Sequence, residues 1–261
     1  MKDKLLSQLK CHPWADRIHW FDTIDSTNTE AKKMGLAGAP AGTVLIADRQ
    51  TGGRGRMGRS FCSPPASGIY MSVILRPNCK ATEIMHLTCA AAVTMCNAVE
   101  KVSGFRPAVK WINDLIAKGK KLGGILTELS LVPGTDQVDF AVVGVGINCS
   151  QRTEDFPPEL RDIAISLEVA TGSVGDRVQL AAAMVEAFCD MDKKLLSEKA
   201  AIMTQYRADC CTLGQDICLL RGDERVPCKA LELDPEGGLI VRFTDGTEAV
   251  VSSGEVSVRP Q

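Results

Sequence analysis

The chain has 261 residues, 45% hydrophobic and 24% charged, with 30 basic and 32 acidic side chains for a net charge of −2. This composition excludes disorder, collagen and coiled coil as the main state, and at roughly 150 residues per domain it suggests one large domain plus a small one. A whole-surface nucleic-acid or membrane binder would be more basic, so any anion site must be local.

Eleven cysteines occur with no C-x-x-C spacing. Cys89, Cys96, Cys149 and Cys189 sit inside apolar runs, as expected of small buried hydrophobes in a reducing compartment. The first residues lack the apolar stretch and cleavage site of a signal peptide. The most apolar window, residues 87–96, is far short of a membrane span. A cytoplasmic protein with no membrane partner is expected.

In chain order, residues 18–22 read as a strand. Asp25, Ser26, Thr27 and Asn28 are all N-cap types and predict a helix start, with Gly35 and Gly38 ending that helix. Residues 43–47 read as a short strand, and the segment from Arg49 to Arg59 is too glycine-rich for regular structure. Residues 68–75 read as a strand, and 82–103 as one long, buried helix. Short β pieces at 109–111 and 114–117 flank a turn. A hairpin-like turn at 119–121 leads into residues 122–131, and 140–147 is a further strand. Residues 176–198 form a second long helical pattern.

After about residue 211 the texture changes. Short alternating strands at 216–221, 226–233, 238–243, 247–251 and 255–258 are separated by turns at Arg221-Gly-Asp, Pro235-Glu-Gly-Gly and Thr244-Asp-Gly, a compact all-β module resembling an SH3-like barrel. It carries five basic and nine acidic residues, whereas residues 1–210 carry 25 and 23.

Three segments carry chemistry. The first holds Arg49, Arg54, Arg56 and Arg59 among Gly52, Gly53, Gly55 and Gly58, with no acid. Glycines let the backbone approach a ligand, and arginine forks grip carboxylates and phosphates. The combination reads as a flexible anion clamp that orders when its anion arrives; a solvated loop or an RNA-binding patch are the alternatives. The second is Lys110-Trp-Ile-Asn-Asp114, followed by Lys121-Leu-Gly-Gly-Ile125. By itself it is a turn and a solvent-facing lysine, or else a lysine that neutralises a carboxylate or phosphate lying on exposed backbone. The third is Gly144-Val-Gly-Ile-Asn148, where glycine in a strand interior signals a close approach.

Together, Asp25-Ser-Thr-Asn28, Gln50 ahead of Gly53-Arg-Gly-Arg-Met-Gly-Arg59, Lys110-Trp-Ile-Asn-Asp114, Lys121-Leu-Gly-Gly-Ile-Leu and Gly144-Val-Gly-Ile-Asn148 resemble the biotin protein ligases in order and approximate spacing. The resemblance covers about residues 18–195. It implies an α+β fold: a class II synthetase-like catalytic domain over 1–210, with a mixed β-sheet and helices, and an SH3-like domain over 211–261. It implies two steps. Biotin is activated with MgATP as biotinyl-5′-AMP, then transferred to a lysine of the biotin carboxyl carrier domain of a biotin-dependent carboxylase. ATP, magnesium and biotin are the implied small molecules, with no tightly bound prosthetic group.

By position, the resemblance implies Ser26, Thr27, Asn28, Gln50, Gly53 and Gly124 around biotin, with Arg54, Gly55 and Arg56 closing over it. Lys121 would contact carboxylate and phosphoryl group, acting with Arg54 and Arg56 as the catalytic set. Arg56, Arg59, Phe61, Lys110, Asn113 and Asn148 would serve the nucleotide, and Asp114 its magnesium. Met57, Ile112 and Phe61 stand where the family commonly has arginine, proline and tryptophan, which bears on affinity rather than on the reaction. His12, His19 and His86 lie outside the motifs and read as structural. Only about 20 residues precede the first motif strand, so no DNA-binding repressor function is expected. An exposed sheet edge would support a homodimer. The alternatives are a lipoate–protein ligase and, in another class, a nucleic-acid-binding module.

Overall fold

A computed structural model describes residues 1–173, 176–221, 224–252 and 255–257. Continuous apolar runs build the centre of its main sheet. Strand β3 (Gly68–Leu75) is buried along its whole length, and strand β7 (Val138–Asn148) nearly so, as expected of strands covered on both faces. Around them lie β1 (Ile18–Ile24), β2 (Thr43–Gln50), β4 (Ala108–Lys110), β5 (Asp114–Ala117) and β6 (Lys120–Leu131), in the order β1-β2-β3-β7-β6-β5-β4. The β1–β2 pair is parallel. The other neighbours are antiparallel, so the sheet is mixed, as expected.

Helix α1 (Lys2–Gln8) precedes β1, and α2 (Thr27–Leu36) packs on one face of the sheet through Ala31, beside Leu45, Ile74, Phe140 and Val142. The opposite face is covered by α3 (Leu87–Ser103) and α5 (Arg177–Lys194), with the short α4 (Leu167–Thr171) and with α6 (Lys199–Asp209) beyond. A five-stranded antiparallel sheet follows: β8 (Asp216–Arg221), β9 (Glu224–Leu233), β10 (Leu239–Phe243), β11 (Glu248–Val251) and β12 (Glu255–Ser257), ordered β11-β10-β9-β8-β12. Ile217, Leu219, Ala230, Leu239 and Val241 join the main core cluster, so apolar packing continues across the junction. Among the described residues, no helix is long and apolar enough to cross a membrane.

Several expected elements change shape. The predicted helix 82–103 is a 3-10 turn, Ala81–Ile84, and then α3 starting after His86. His86 is fully buried, and its Nε2 lies 2.9 Å from Leu195 O, which fixes the chain where the two pieces meet. The predicted helix 176–198 ends at Lys194, and α6 begins separately at Lys199. Gly35 lies inside α2, where a Cβ would collide with the Phe140 ring; the helix ends at Leu36, with Gly38 at φ 87° just past its cap. The Arg/Gly segment begins in regular structure, since β2 runs through Gln50, and Arg56–Gly58 make a tight turn with Met57 in a left-handed conformation. The turn at Gly222-Asp223 and the strand residue Val258 lie outside the described residues.

Candidate active site

The site starts at the N-terminus of α2. Ser26 caps it, its Oγ accepting from Thr29 N at 3.4 Å, while its own N–H donates to Asp25 Oδ1 at 2.6 Å. Thr27 donates to Gln50 Oε1 from its backbone N (2.8 Å) and its Oγ1 (3.1 Å). Gln50 Nε2 then donates to Ser63 Oγ at 3.0 Å. Asn28 Nδ2 donates to Glu128 Oε2 at 3.1 Å and Leu126 O at 3.3 Å, and its Oδ1 sits 2.7 Å from Ser72 Oγ. Ser26, Thr27 and Asn28 are buried, so their polar atoms need these partners. The network fixes which end of each amide faces which neighbour.

Glycines on β7 make room for this wall. A Cβ on Gly144 would land inside the Asn28 amide, and one on Gly146 inside the Phe61 ring. Both expected close approaches are thus filled by the chain's own side chains.

The Arg/Gly segment forms a small hairpin over the cleft. Arg54 bridges Ser60, Gly55 N donates to Arg59 O at 2.7 Å, and Phe61 N donates to Gly53 O at 2.9 Å. Gly53 is needed for this closure: a Cβ there would lie 2.5 Å from Phe61 O. At the tip Met57 adopts φ 56° with its side chain exposed, a left-handed conformation that costs a non-glycine residue energy. The hairpin reaches the far wall through Arg56, whose NH1 donates to Asn113 Oδ1 at 3.1 Å.

That far wall is the turn from β4 to β5 and the start of β6. Asn113 is held by a reciprocal pair with Ile125: Nδ2 to Ile125 O at 3.0 Å and Ile125 N to Asn113 O at 2.9 Å. Lys121 Nζ pairs with Asp114 Oδ1 at 2.6 Å. The Trp111–Ile112 peptide is cis. Trp111 donates from N to Thr212 Oγ1 and from Nε1 to Gly237 O, both at 2.9 Å, and Tyr206 OH donates to Ile112 O at 3.1 Å. The turn is therefore anchored to the C-terminal sheet.

The cleft between these walls is partly open to solvent, and a few convergent polar and charged groups line it, as in small-molecule sites. Its walls include Ser26, Thr27, Asn28, Gln50, Arg54, Gly55, Arg56, Arg59, Phe61, Lys110, Asn113, Asp114, Lys121 and Gly124, so these predicted residues converge from four separate chain segments. Gly53 and Asn148 are not part of the wall. Gly53 shapes the hairpin base, and Asn148 is buried with Nδ2 donating to Ile165 O at 3.1 Å. Trp111, Leu126, Val145 and Gly146 also face the cleft; all four lie inside the quoted motifs, but none was given a site role from the sequence.

Five cations (Arg54, Arg56, Arg59, Lys110, Lys121) and one carboxylate, Asp114, line the cleft. That excess of positive charge suits a polyanion. No cysteine lines the cleft among the described residues. Burial, with Glu159 adding, pushes the nearby Cys62 thiol up, away from the reactive thiolate. The three histidines stand outside the wall. No group of three or more His, Cys, Asp or Glu placed to hold a metal occurs among the described residues.

The Biotin/lipoate A/B protein ligase family matches residues 20–148. A bifunctional ligase/repressor BirA from Bacillus spizizenii is 33% identical over 246 residues, covering 94% of this chain and 75% of the relative. A biotin–[acetyl-CoA-carboxylase] ligase from Mycobacterium tuberculosis is 31% identical, covering 88% of this chain and 85% of its own. Among solved structures, the biotin protein ligase from Aquifex aeolicus in complex with biotin and ATP is similar with a TM-score of 0.76 at 29% identity, covering 94% of this chain and 99% of that one.

Proposed function

The chain belongs to the biotin protein ligase family and is a ligase, and from that premise we propose that it couples biotin to a lysine of a carboxyl carrier domain in two steps. In the first, a biotin carboxylate oxygen attacks the α-phosphorus of ATP. An O–P bond forms, the bond to the β-phosphate oxygen breaks, and pyrophosphate leaves. In the second, the neutral lysine amine attacks the acyl carbon of biotinyl-5′-AMP. An amide forms, the acyl C–O bond breaks, AMP leaves, and the amine releases its proton.

The observation that carries this reading is the convergence of Arg54, Arg56 and Lys121 on one cleft. Two anions must meet in the first step. Fixed cations offset their repulsion and stabilise charge at the α-phosphorus, and the shared cleft removes the entropic cost of their encounter. The network of buried Ser26, Thr27 and Asn28 with partly buried Gln50 offers oriented polar atoms for the uncharged end of biotin. Arg59, Phe61, Lys110 and Asn113 serve the nucleotide, and Asn148, at the end of β7, supports the cleft from outside its wall. Magnesium travels with the nucleotide. A single facing carboxylate such as Asp114, with phosphate oxygens and water, is an ordinary way to hold it.

Three finer readings belong with this one. The C-terminal sheet closes as an SH3-like barrel and forms with its surroundings a separate domain from about residue 211. Two copies pair along an exposed sheet edge. The substrate is biotin rather than lipoate, in keeping with the Arg/Gly hairpin.

Incubation with biotin, MgATP and a carrier domain, followed by intact mass measurement, tests the proposal. A gain of one biotinyl group per carrier, dependent on ATP, is expected. An unmodified carrier, or one modified by lipoate and not by biotin, would overturn it.

A further inference from the structure

Glu128 lies on β6 beyond the predicted motifs, outside the cleft wall, and yet it touches both halves of the site. Its Oε2 accepts from Asn28 Nδ2 at 3.1 Å, inside the buried network of α2. Its Oε1 lies 3.6 Å from Arg54 NH1 in the hairpin and 3.6 Å from Lys32 Nζ on α2. The Glu128 side chain is 18% exposed, against 49% for each cation.

From this geometry we propose that Glu128 is a positioning residue: it orients the Asn28 amide in the pocket wall and latches the hairpin's Arg54 against β6 until a ligand anion takes its place. The two tasks use different oxygens. The Asn28 contact is short and inward. The Arg54 contact exceeds hydrogen-bond length and is half exposed, so it is weak and salt-sensitive. An incoming carboxylate or phosphate can therefore displace it. Lys32 explains how the exchange is tolerated, because the carboxylate keeps one cation when Arg54 swings away and is not left uncompensated near a buried network. The other two clamp cations follow the same arrangement. Arg56 rests on Asn113 and Lys121 on Asp114, so each holds an acceptor of the chain itself. The identity of the displacing anion rests on the proposed function; the latch does not.

Glu128→Gln tests it, since glutamine still accepts from Asn28 but carries no charge for Arg54. Amide hydrogen exchange in ligand-free protein would be followed at Gly55 and Phe61, whose N–H groups close the hairpin. Exchange should accelerate about two- to fivefold in Glu128→Gln, the range set by a half-exposed ion pair. Arg54→Gln should give the same acceleration and the double variant no more. Lys32→Gln should leave these two amides at the wild-type rate. Raising salt should speed exchange in the wild type and not in Glu128→Gln, a dependence that a purely structural role would not produce. Wild-type rates in Glu128→Gln, or additive effects in the double variant, would overturn the latch. The carrier-modification assay on the wild type reads the function separately, so either idea can fail alone.

Discussion

At Gly144 a single missing methyl group decides the shape of the pocket. The glycine lies on β7 between strands β3 and β6, and the space its side chain would fill holds the Asn28 amide. Asn28 cannot retreat, because both ends of its amide are bonded, to Ser72 on one side and to Leu126 and Glu128 on the other. Gly144→Ala should therefore break that network. The expected cost is about 1–3 kcal/mol in chemical denaturation, the usual effect of overpacking, together with weaker biotin binding by titration calorimetry. Wild-type values in both measurements would show that Asn28 has freedom to move. Sequence reading reaches half of this result. A glycine inside a strand announces a close approach, but the residue that approaches is 116 positions earlier in the chain by numbering and is named only by the fold.

Elements owe their positions to a few polar clamps as much as to apolar faces. Helix α2 must present its N-terminus to the cleft, and Arg76 holds its other end. Arg76 donates to Gly35 O (2.7 Å), Ala39 O (2.9 Å) and Asp139 Oδ1 (2.6 Å), with its guanidinium 5.3 Å from the Phe140 ring centroid. A lysine has one flexible ammonium and cannot reproduce that planar fork. Arg76→Lys should cost about 1–3 kcal/mol in denaturant unfolding, the range for lost bonds to a charged donor. A loss below about 0.5 kcal/mol, within the scatter of surface substitutions, would mean that apolar packing alone fixes α2. The strand at 68–75 was legible as a continuous apolar run, which is buried throughout, and that at 216–221 by its alternation, which matches the burial of Ile217 and Leu219. Helices α1, α4 and α6 were not. The first two are only seven and five residues long, and α6 buries only Met203, Tyr206 and Asp209, too sparse a stripe to stand out from its polar residues.

Across the whole molecule, the cleft depends on the C-terminal sheet. The Trp111 indole N–H donates to Gly237 O, and the Trp111 backbone N–H to Thr212 Oγ1, so the turn carrying Asn113 and Asp114 is braced from outside the main sheet. Trp111→Phe keeps most of the apolar contact and leaves the Gly237 carbonyl without that donor. It should cost about 1–3 kcal/mol, the penalty for a buried unsatisfied group. It should also raise KM for ATP more than KM for biotin in steady-state assays, because the turn carries Asn113 and Asp114, which the proposed function assigns to the nucleotide and its magnesium. Equal changes in both constants would separate the brace from the nucleotide site.

What the chain determined by itself was chemical inventory and local habit: a run of helix caps, an arginine-bearing glycine segment, glycines placed inside strands, and two zones of different texture. These follow from side-chain chemistry and short-range periodicity, which act over a few residues. What only the tertiary structure decided was pairing. Arg56 meets Asn113 across 57 positions, Asn28 meets Glu128 across 100, and Trp111 meets Gly237 across 126. Such contacts depend on sheet order and helix placement. Those arise from burying the whole apolar surface at once, and no local window of sequence contains that condition.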